Sequence, residues 1–223
     1  MTRGLVIGKF YPPHSGHKYL IDTAQAGCDA LDVLICDNPK YHIPAGTRKQ
    51  WLQAIHPNAN IQIIPDIGDD DNSQAWAEYT LEFLGYTPDI VFSSEDYGEP
   101  WATYMNTAHQ MVDRQREHVP VSATKVRADM LKHWQYVEDP VRKDLAIRVA
   151  VVGAESTGTT TLSMALAKHY KAPWVPEFGR LYTEALDTMP FTWTDSDFEY
   201  IARTQQRFEK ELAAKSDGLL ICE

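Results

Sequence analysis

Several things are scarce in this 223-residue chain, and each scarcity removes a class of protein. Cysteine is scarce: Cys28, Cys36 and Cys222 are scattered and odd in number. They offer neither a disulfide framework nor metal-ligand spacing, so a reducing cytoplasm is the expected compartment. Basic residues are outnumbered, with 21 Lys and Arg against 31 Asp and Glu and a net charge of −10. Broad nucleic-acid binding needs a basic surface that displaces counterions, so no nucleic-acid partner is expected. A small anionic ligand stays open, because a pocket can be locally positive on an acidic protein. No apolar run approaches the roughly 18 residues of a membrane helix, so no membrane partner is expected. The opening "MTRGLVIGKFYPP" has too short an apolar run, and no small-residue cleavage site, for a signal peptide. Repeats and low-complexity tracts are missing as well. What is left, 43% hydrophobic and 23% charged, has the balance of a globular chain of one large domain or two small ones.

What is there alternates. Short apolar segments, "GLVIGKF", "LDVLIC", "IQIIP" and "DIVFSS", are separated by "GHKYLIDTAQAG", "GTRKQWLQAIH" and "SQAWAEYTLEFLG". The latter carry apolar residues at three- and four-residue spacing. This predicts an α/β fold with a mainly parallel sheet, whose ligands sit beyond the carboxyl ends of the strands. "VPVSATKVRADMLKHW" predicts one more short strand followed by a helix. The polar "QYVEDPVRKDLAI" reads as a linker or a connecting helix, and "RVAVVGAESTGTTTLSMALAKHY" opens a second strand–loop–helix unit. A long helix is predicted from 195 to 216 and a last strand in "GLLICE". The expected organisation is therefore 1–134, a linker at 135–147, and 148–223.

Within "GKFYPPHSGHKYL", residues 8–20, the features agree with one another. Gly8 follows a strand and permits close backbone approach. Ser15 is the expected N-cap, and Gly16 leaves space. His14 and His17, three apart, share a helix face beside the helix N-terminus, where free N–H groups attract anions. Two such donors suit a phosphoryl group gaining charge. "VSATKVR", residues 121–127, adds Ser122 and Thr124 as donors to phosphate and Arg127 as a counter-charge.

The string GxFxPxHxGH resembles the signature of the HxGH nucleotidyltransferases, and "VSATKVR" resembles that family's second signature. The resemblance implies a Rossmann-like parallel-sheet domain with Gly8, Lys9, Phe10, His14, His17, Ser122, Thr124 and Arg127 around ATP. Closer still, "GKFYPPHSGHKYLIDTA", "SSEDYGEPWA" and "GAESTG" resemble the NadR-type bifunctional proteins. These join nicotinamide mononucleotide (NMN) adenylyltransferase to a ribosylnicotinamide kinase. ATP and NMN are then the expected partners, NAD and pyrophosphate the products, and Mg²⁺ the cofactor. His14, His17, Lys9 and Arg127 become the expected catalytic groups. Trp101, with Tyr97 second, is either a stacking surface for the pyridinium ring or a core anchor. Asp37 and Asn38 are placed at a strand end facing the pocket. Arg48 is either a phosphate contact or a solvated helix residue.

"GAESTGTT", residues 153–160, occupies the frame of a Walker A loop, with Gly153, Ser156 and Gly158 in the loop and Thr160 positioned for Mg²⁺. The lysine position holds Thr159, a neutral hydroxyl. Glu177 and Arg180 fall near the kinase substrate site by resemblance, and Glu223 stands where a metal-site acid is expected. A partial P-loop α/β domain follows from this, either a truncated kinase or a segment that packs or self-associates. Exposed edge strands of an incomplete sheet favour a homo-oligomer. "DIGDDDN", residues 66–72, reads as a solvated acidic turn. Two rival functions remain: nucleotidyl transfer to another phosphate acceptor, and a nucleotide-sensing regulatory module. The start of the chain at its first strand and its acidity disfavour a DNA-binding form of the latter.

Overall fold

In the computed structural model the first apolar run becomes β1 (Arg3–Gly8), the middle strand of a five-stranded parallel sheet. Its partners are β2 (Ala30–Asp37), β3 (Asn60–Pro65), β4 (Ile90–Ser93) and β5 (Ala108–Met111), in the order β3-β2-β1-β4-β5. Helices α1 (Ser15–Ala26), α2 (Ala45–Ile55), α3 (Ser73–Leu84) and α4 (Gly98–Met105) connect them. The structure describes residues 1–186 and 192–223. They form two units, Met1–Glu138 and Asp139–Glu223.

Strand side chains alternate between faces, and here both faces are covered. Val6, Val33, Ile35 and Ile61 pack with Leu20, Ile21 and Leu52 in one cluster. Leu5, Ile7, Leu34 and Ile64 pack with Trp76, Ala77, Trp101 and Met105 in the other. Double-sided burial explains why these strands read as continuous apolar runs. The chain grows outward from β1 through β2 to β3, then crosses to β4 on the other side. That reversal makes the crevice beyond the carboxyl ends of β1 and β4 the natural ligand position.

The structure corrects the sequence reading in two places. The last strand of this sheet is Ala108–Met111, while 119–121 is irregular, where Pro120 has no N–H to give a ladder. Helix α5 (Ala123–Ala128) follows it and is short. In the segment 135–147 the helical reading holds rather than the linker, and the boundary between the units falls inside it, at 138/139. Trp134–Tyr136 forms a 3₁₀ turn in the first unit, anchored by buried Trp134. Helix α6 (Asp139–Leu145) belongs to the second unit and packs on its longest helix through fully buried Val141.

The second unit has a three-stranded parallel sheet, β6 (Ile147–Ala150), β7 (Trp174–Val175) and β8 (Leu219–Cys222), in the order β6-β8-β7. Helices α7 (Thr159–Tyr170), α8 (Phe178–Leu186) and α9 (Asp195–Lys215) surround it. A capping box between Thr194 and Asp197 starts α9 close to its predicted position. Strand β8 is buried, but Ile147 and Val149 of β6 are 45% and 40% exposed. No helix among the described residues is long and apolar enough to cross a membrane.

Candidate active site

A cavity of about 680 Å³ lies in the first unit, beyond the carboxyl ends of its strands. Gly8, Lys9, Phe10, His14, His17, Tyr97, Trp101, Ser122, Thr124 and Arg127 all line it. Two segments more than 100 residues apart in sequence are thus brought to one wall.

The histidine pair is built by the start of α1. His14, not Ser15, is the N-cap: its Nδ1 accepts the Gly16 N–H at 3.1 Å. Ser15 instead donates to the Tyr136 carbonyl and the Glu138 carboxylate, tying α1 to the end of the first unit. Gly16 is required, since a Cβ there would lie 2.9 Å from the His14 ring. The two imidazoles stack at 3.8 Å, and the Phe10 ring meets His17 edge-on at 5.0 Å. Phe10 holds that position with φ 46° and is fully buried.

Electrostatics follows from this burial. Desolvation, with the Arg116 and Arg127 charges behind it, lowers the His14 pKa to about 4. Desolvation and the His14 and Arg116 charges hold His17 well below the usual imidazole value. Both rings are therefore neutral near pH 7. Because His14 Nδ1 is an acceptor, its proton resides on Nε2, leaving an N–H donor free. His17 Nδ1 is buried without a hydrogen-bond partner.

Ser122 caps α5 by accepting the Lys125 N–H at 3.3 Å. Arg127 donates to the Tyr11 carbonyl at 2.5 Å and to Thr124 Oγ1 at 3.2 Å, which links the two signature segments directly. Lys9 lines the cavity with its Nζ 2.6 Å from Asp70. The acidic turn is thus solvated, but it also forms cavity wall through Asp70 and Asp71.

Trp101 is a core anchor that also reaches the cavity wall. It is 2% exposed within the core cluster, yet it lines the cavity, and its Nε1 is buried without a partner. Tyr97 is committed: its hydroxyl donates to the Ile7 carbonyl at 2.9 Å. Asp37, Asn38 and Arg48 are not among the lining residues. Arg48 is fully buried rather than solvated, donating from Nη1 to the Lys9 and Cys36 carbonyls and from Nε to Ile43. It braces the ends of β1 and β2, with Asp37 at 3.5 Å as counter-ion. Asn38 shapes a turn, donating to Asp66 at 3.0 Å and accepting the Lys40 N–H. Sequence reading missed Glu95 and Arg116, which also line the cavity: Glu95 lies within "SSEDYGEPWA", where attention went to the aromatic residues, and Arg116 sits in no recognisable motif.

In the second unit the loop before α7 has positive φ at Ser156 (62°) and Gly158 (92°). A Cβ on Gly153 would come within 2.7 Å of Thr157 Oγ1. Glu223 is the hub. Its carboxylate accepts from Thr159 Oγ1 at 3.3 Å, from Thr160 Oγ1, and from Arg180 Nη2 at 3.1 Å. Arg180 also donates to Thr160 Oγ1 at 2.7 Å and pairs with Glu177 at 3.4 Å. The structure thus gathers Thr159, Thr160, Glu177, Arg180 and Glu223 at one place.

An AAA-domain family model matches residues 148–223. The chain is similar to the trifunctional NAD biosynthesis/regulator protein NadR of Escherichia coli strain K12, at 28% identity. That match covers 81% of this chain and 50% of the relative. It is also similar to NadR of Salmonella typhimurium strain LT2, at 26% identity over 87% of this chain and 53% of the relative. The chain spans about half the length of these curated relatives. Among solved structures, NadR in complex with NAD and AMP-PNP superposes with a TM-score of 0.75. Its identity is 21%, over 100% of this chain and 69% of that one. NadR in complex with NR gives 0.77 at 21% identity, over 99% and 67%. The chain is therefore similar to NadR proteins in sequence and shares their α/β fold with parallel sheets.

Proposed function

We propose that the first unit is a nicotinamide-nucleotide adenylyltransferase, moving AMP from ATP to NMN to give NAD and pyrophosphate. One observation carries this reading: the histidine pair and the Ser122–Arg127 helix start, far apart in sequence, line one cavity and are joined by the Arg127–Tyr11 bond. The similarity to NadR proteins, one of them solved with NAD and AMP-PNP, supports the choice of reaction.

The NMN phosphate is already ionised and needs no general base. One of its oxygens attacks the α-phosphorus, a P–O bond forms in line, and the bond to pyrophosphate breaks. Neutral His14 and His17 act as N–H donors to phosphate oxygens, with Arg127 offsetting charge. Trp101 forms the apolar wall for the pyridinium ring, whose charge suits an indole face. Mg²⁺ fits this site as a nucleotide-borne ion, because it binds through one or two carboxylates plus substrate phosphates. With Asp70 paired to Lys9, Asp71 on the cavity wall is the residue that would hold it. When bound it supplies charge neutralisation on the phosphates. The second unit is read as a ribosylnicotinamide-kinase-like P-loop unit, inactive by itself because Thr159 stands in the lysine position.

The test is one incubation of the full chain with Mg²⁺ and ATP, offering NMN or nicotinamide riboside separately. NAD from the first and no NMN from the second is expected. A folded protein that makes no NAD from NMN overturns the reading.

A further inference from the structure

The loop between β5 and α5 is held in an unusual shape. Asp113 and Arg116 have φ of 49° and 57°, a region that side-chain-bearing residues seldom adopt. The Asp113 carboxylate accepts the backbone N–H groups of Glu117, His118 and Val119 at 2.8–3.1 Å. The Asp113 carbonyl accepts the Arg116 N–H at 2.8 Å. This internal scaffold presents Arg116 on the cavity wall.

Two ion pairs connect this loop to the one after β4. Arg114 meets Asp96 at 2.6 Å, and neither residue lines the cavity. Arg116 meets Glu95 at 3.3 Å, and both do. The second pair is longer and uses one donor of a guanidinium that has five. Exposed pairs of this kind are weakly held. Arg116 is also close enough to the histidine pair that its charge depresses both imidazole pKa values. Of the other two cations on the wall, Lys9 is taken by Asp70, and Arg127 is turned to Tyr11 and Thr124.

We propose that Arg116 binds the polyphosphate of the nucleotide, and that Glu95 is the anion it releases when the nucleotide enters. The inference rests on the nucleotide reading above and adds a residue outside both signature segments. A planar fork matches two phosphate oxygens, whereas it meets Glu95 through a single bond. Exchange of a carboxylate for phosphate thus gains donor–acceptor contacts without moving the backbone. Glu95 has a second effect: its negative charge balances Arg116 in the empty site and opposes phosphate entry.

Titration calorimetry on the full chain tests this, with inorganic tripolyphosphate and ATP as probes and circular dichroism to check each fold. Arg116→Ala weakens both probes by about tenfold or more. Arg116→Lys recovers part of the loss, since it keeps the charge but not the fork. Glu95→Gln tightens both probes, because the competing carboxylate is gone. A purely structural ion pair predicts instead that Glu95→Gln and Arg116→Ala weaken binding alike, and that result overturns the proposal. Wild-type binding that Arg116→Ala leaves unchanged also overturns it while sparing the nucleotide reading. If the wild type binds neither probe, the nucleotide reading fails first and this proposal with it.

Discussion

At the N-terminus of α1 two stacked imidazoles, His14 buried and His17 half-buried, line a cavity. At the N-terminus of α7 two threonine hydroxyls are bonded to Glu223, with Arg180 beside them. Both arrangements follow a parallel strand and a tight loop, and both offer helix-end N–H groups to an anion. They differ in what already occupies the anion's place. In the first unit His17 Nδ1 has no partner. In the second, a carboxylate that is 5% exposed already accepts from both hydroxyls and the guanidinium. A phosphate entering the first site meets no carboxylate already bonded to the histidine pair, and partial burial strengthens each contact it makes. One entering the second must displace or be repelled by Glu223. Similar loop topology therefore does not give equal sites, and the difference is one of prior occupancy and burial.

The largest effect should come from His17→Ala. Loss of one preorganised donor at a developing charge costs on the order of 10²–10³ in rate. Steady-state NAD formation from ATP and NMN, with circular dichroism as the fold control, measures it. A variant within about threefold of wild type would break the contrast by showing that the buried pair does no chemistry.

Acid should separate the units next. The His14 pKa of about 4 is depressed from its ordinary 6.5. Between those values the unfolded chain binds a proton that the folded chain refuses, so stability rises with pH through that window. It is complete above pH 6.5 and is lost as pH falls toward 4. From pH 7 to pH 5 the His14 contribution to the loss is about 2 kcal/mol, and His17 adds in the same direction. Urea midpoints at the two pH values, read with Trp101→Phe as a fluorescence control, report it. His14→Gln should flatten the slope, and an unchanged slope would place the acid sensitivity elsewhere. For activity, neutral histidines predict no inflection in the rate profile near pH 6.5.

The contrast also explains which features were legible from sequence. Strands β1, β2 and β4 are buried on both faces, so their apolar runs are unbroken and stand out. Strand β5 reads "AHQM" because it is an edge, paired on one side and largely exposed, and its pattern carries no burial signal. His14 and His17 were visible because their partner relation is local, within one helical turn. Glu95 and Arg116 were not, since they meet across loops that only the sheet order brings together. Asp70 was read correctly as solvated, but its ion pair with Lys9, 61 residues away, was hidden for the same reason. Arg48 looks in sequence like any helix-face arginine, and only the carbonyls of Lys9, Cys36 and Ile43 explain why it is buried. In the second unit the Walker frame was readable, but the convergence of Arg180 and Glu223 on Thr160 required the fold.

The smallest effect concerns Thr159, and it decides whether occupancy or the missing cation sets the difference between the units. A lysine in that frame would bring its ammonium to the place where Thr159 now touches Glu223. It would neutralise the carboxylate and leave Arg180 free for phosphate. One charge-assisted contact of this kind strengthens binding by about tenfold. Calorimetry with ATP should therefore find one nucleotide per wild-type chain and a second, weaker site in Thr159→Lys. Adding Glu223→Gln separates the causes. If the carboxylate is the obstacle, Glu223→Gln alone opens the second site; if the absent cation is, only the lysine variant does. Two equal sites in the wild type would end the comparison, because the second unit would then need neither the lysine nor the removal of Glu223.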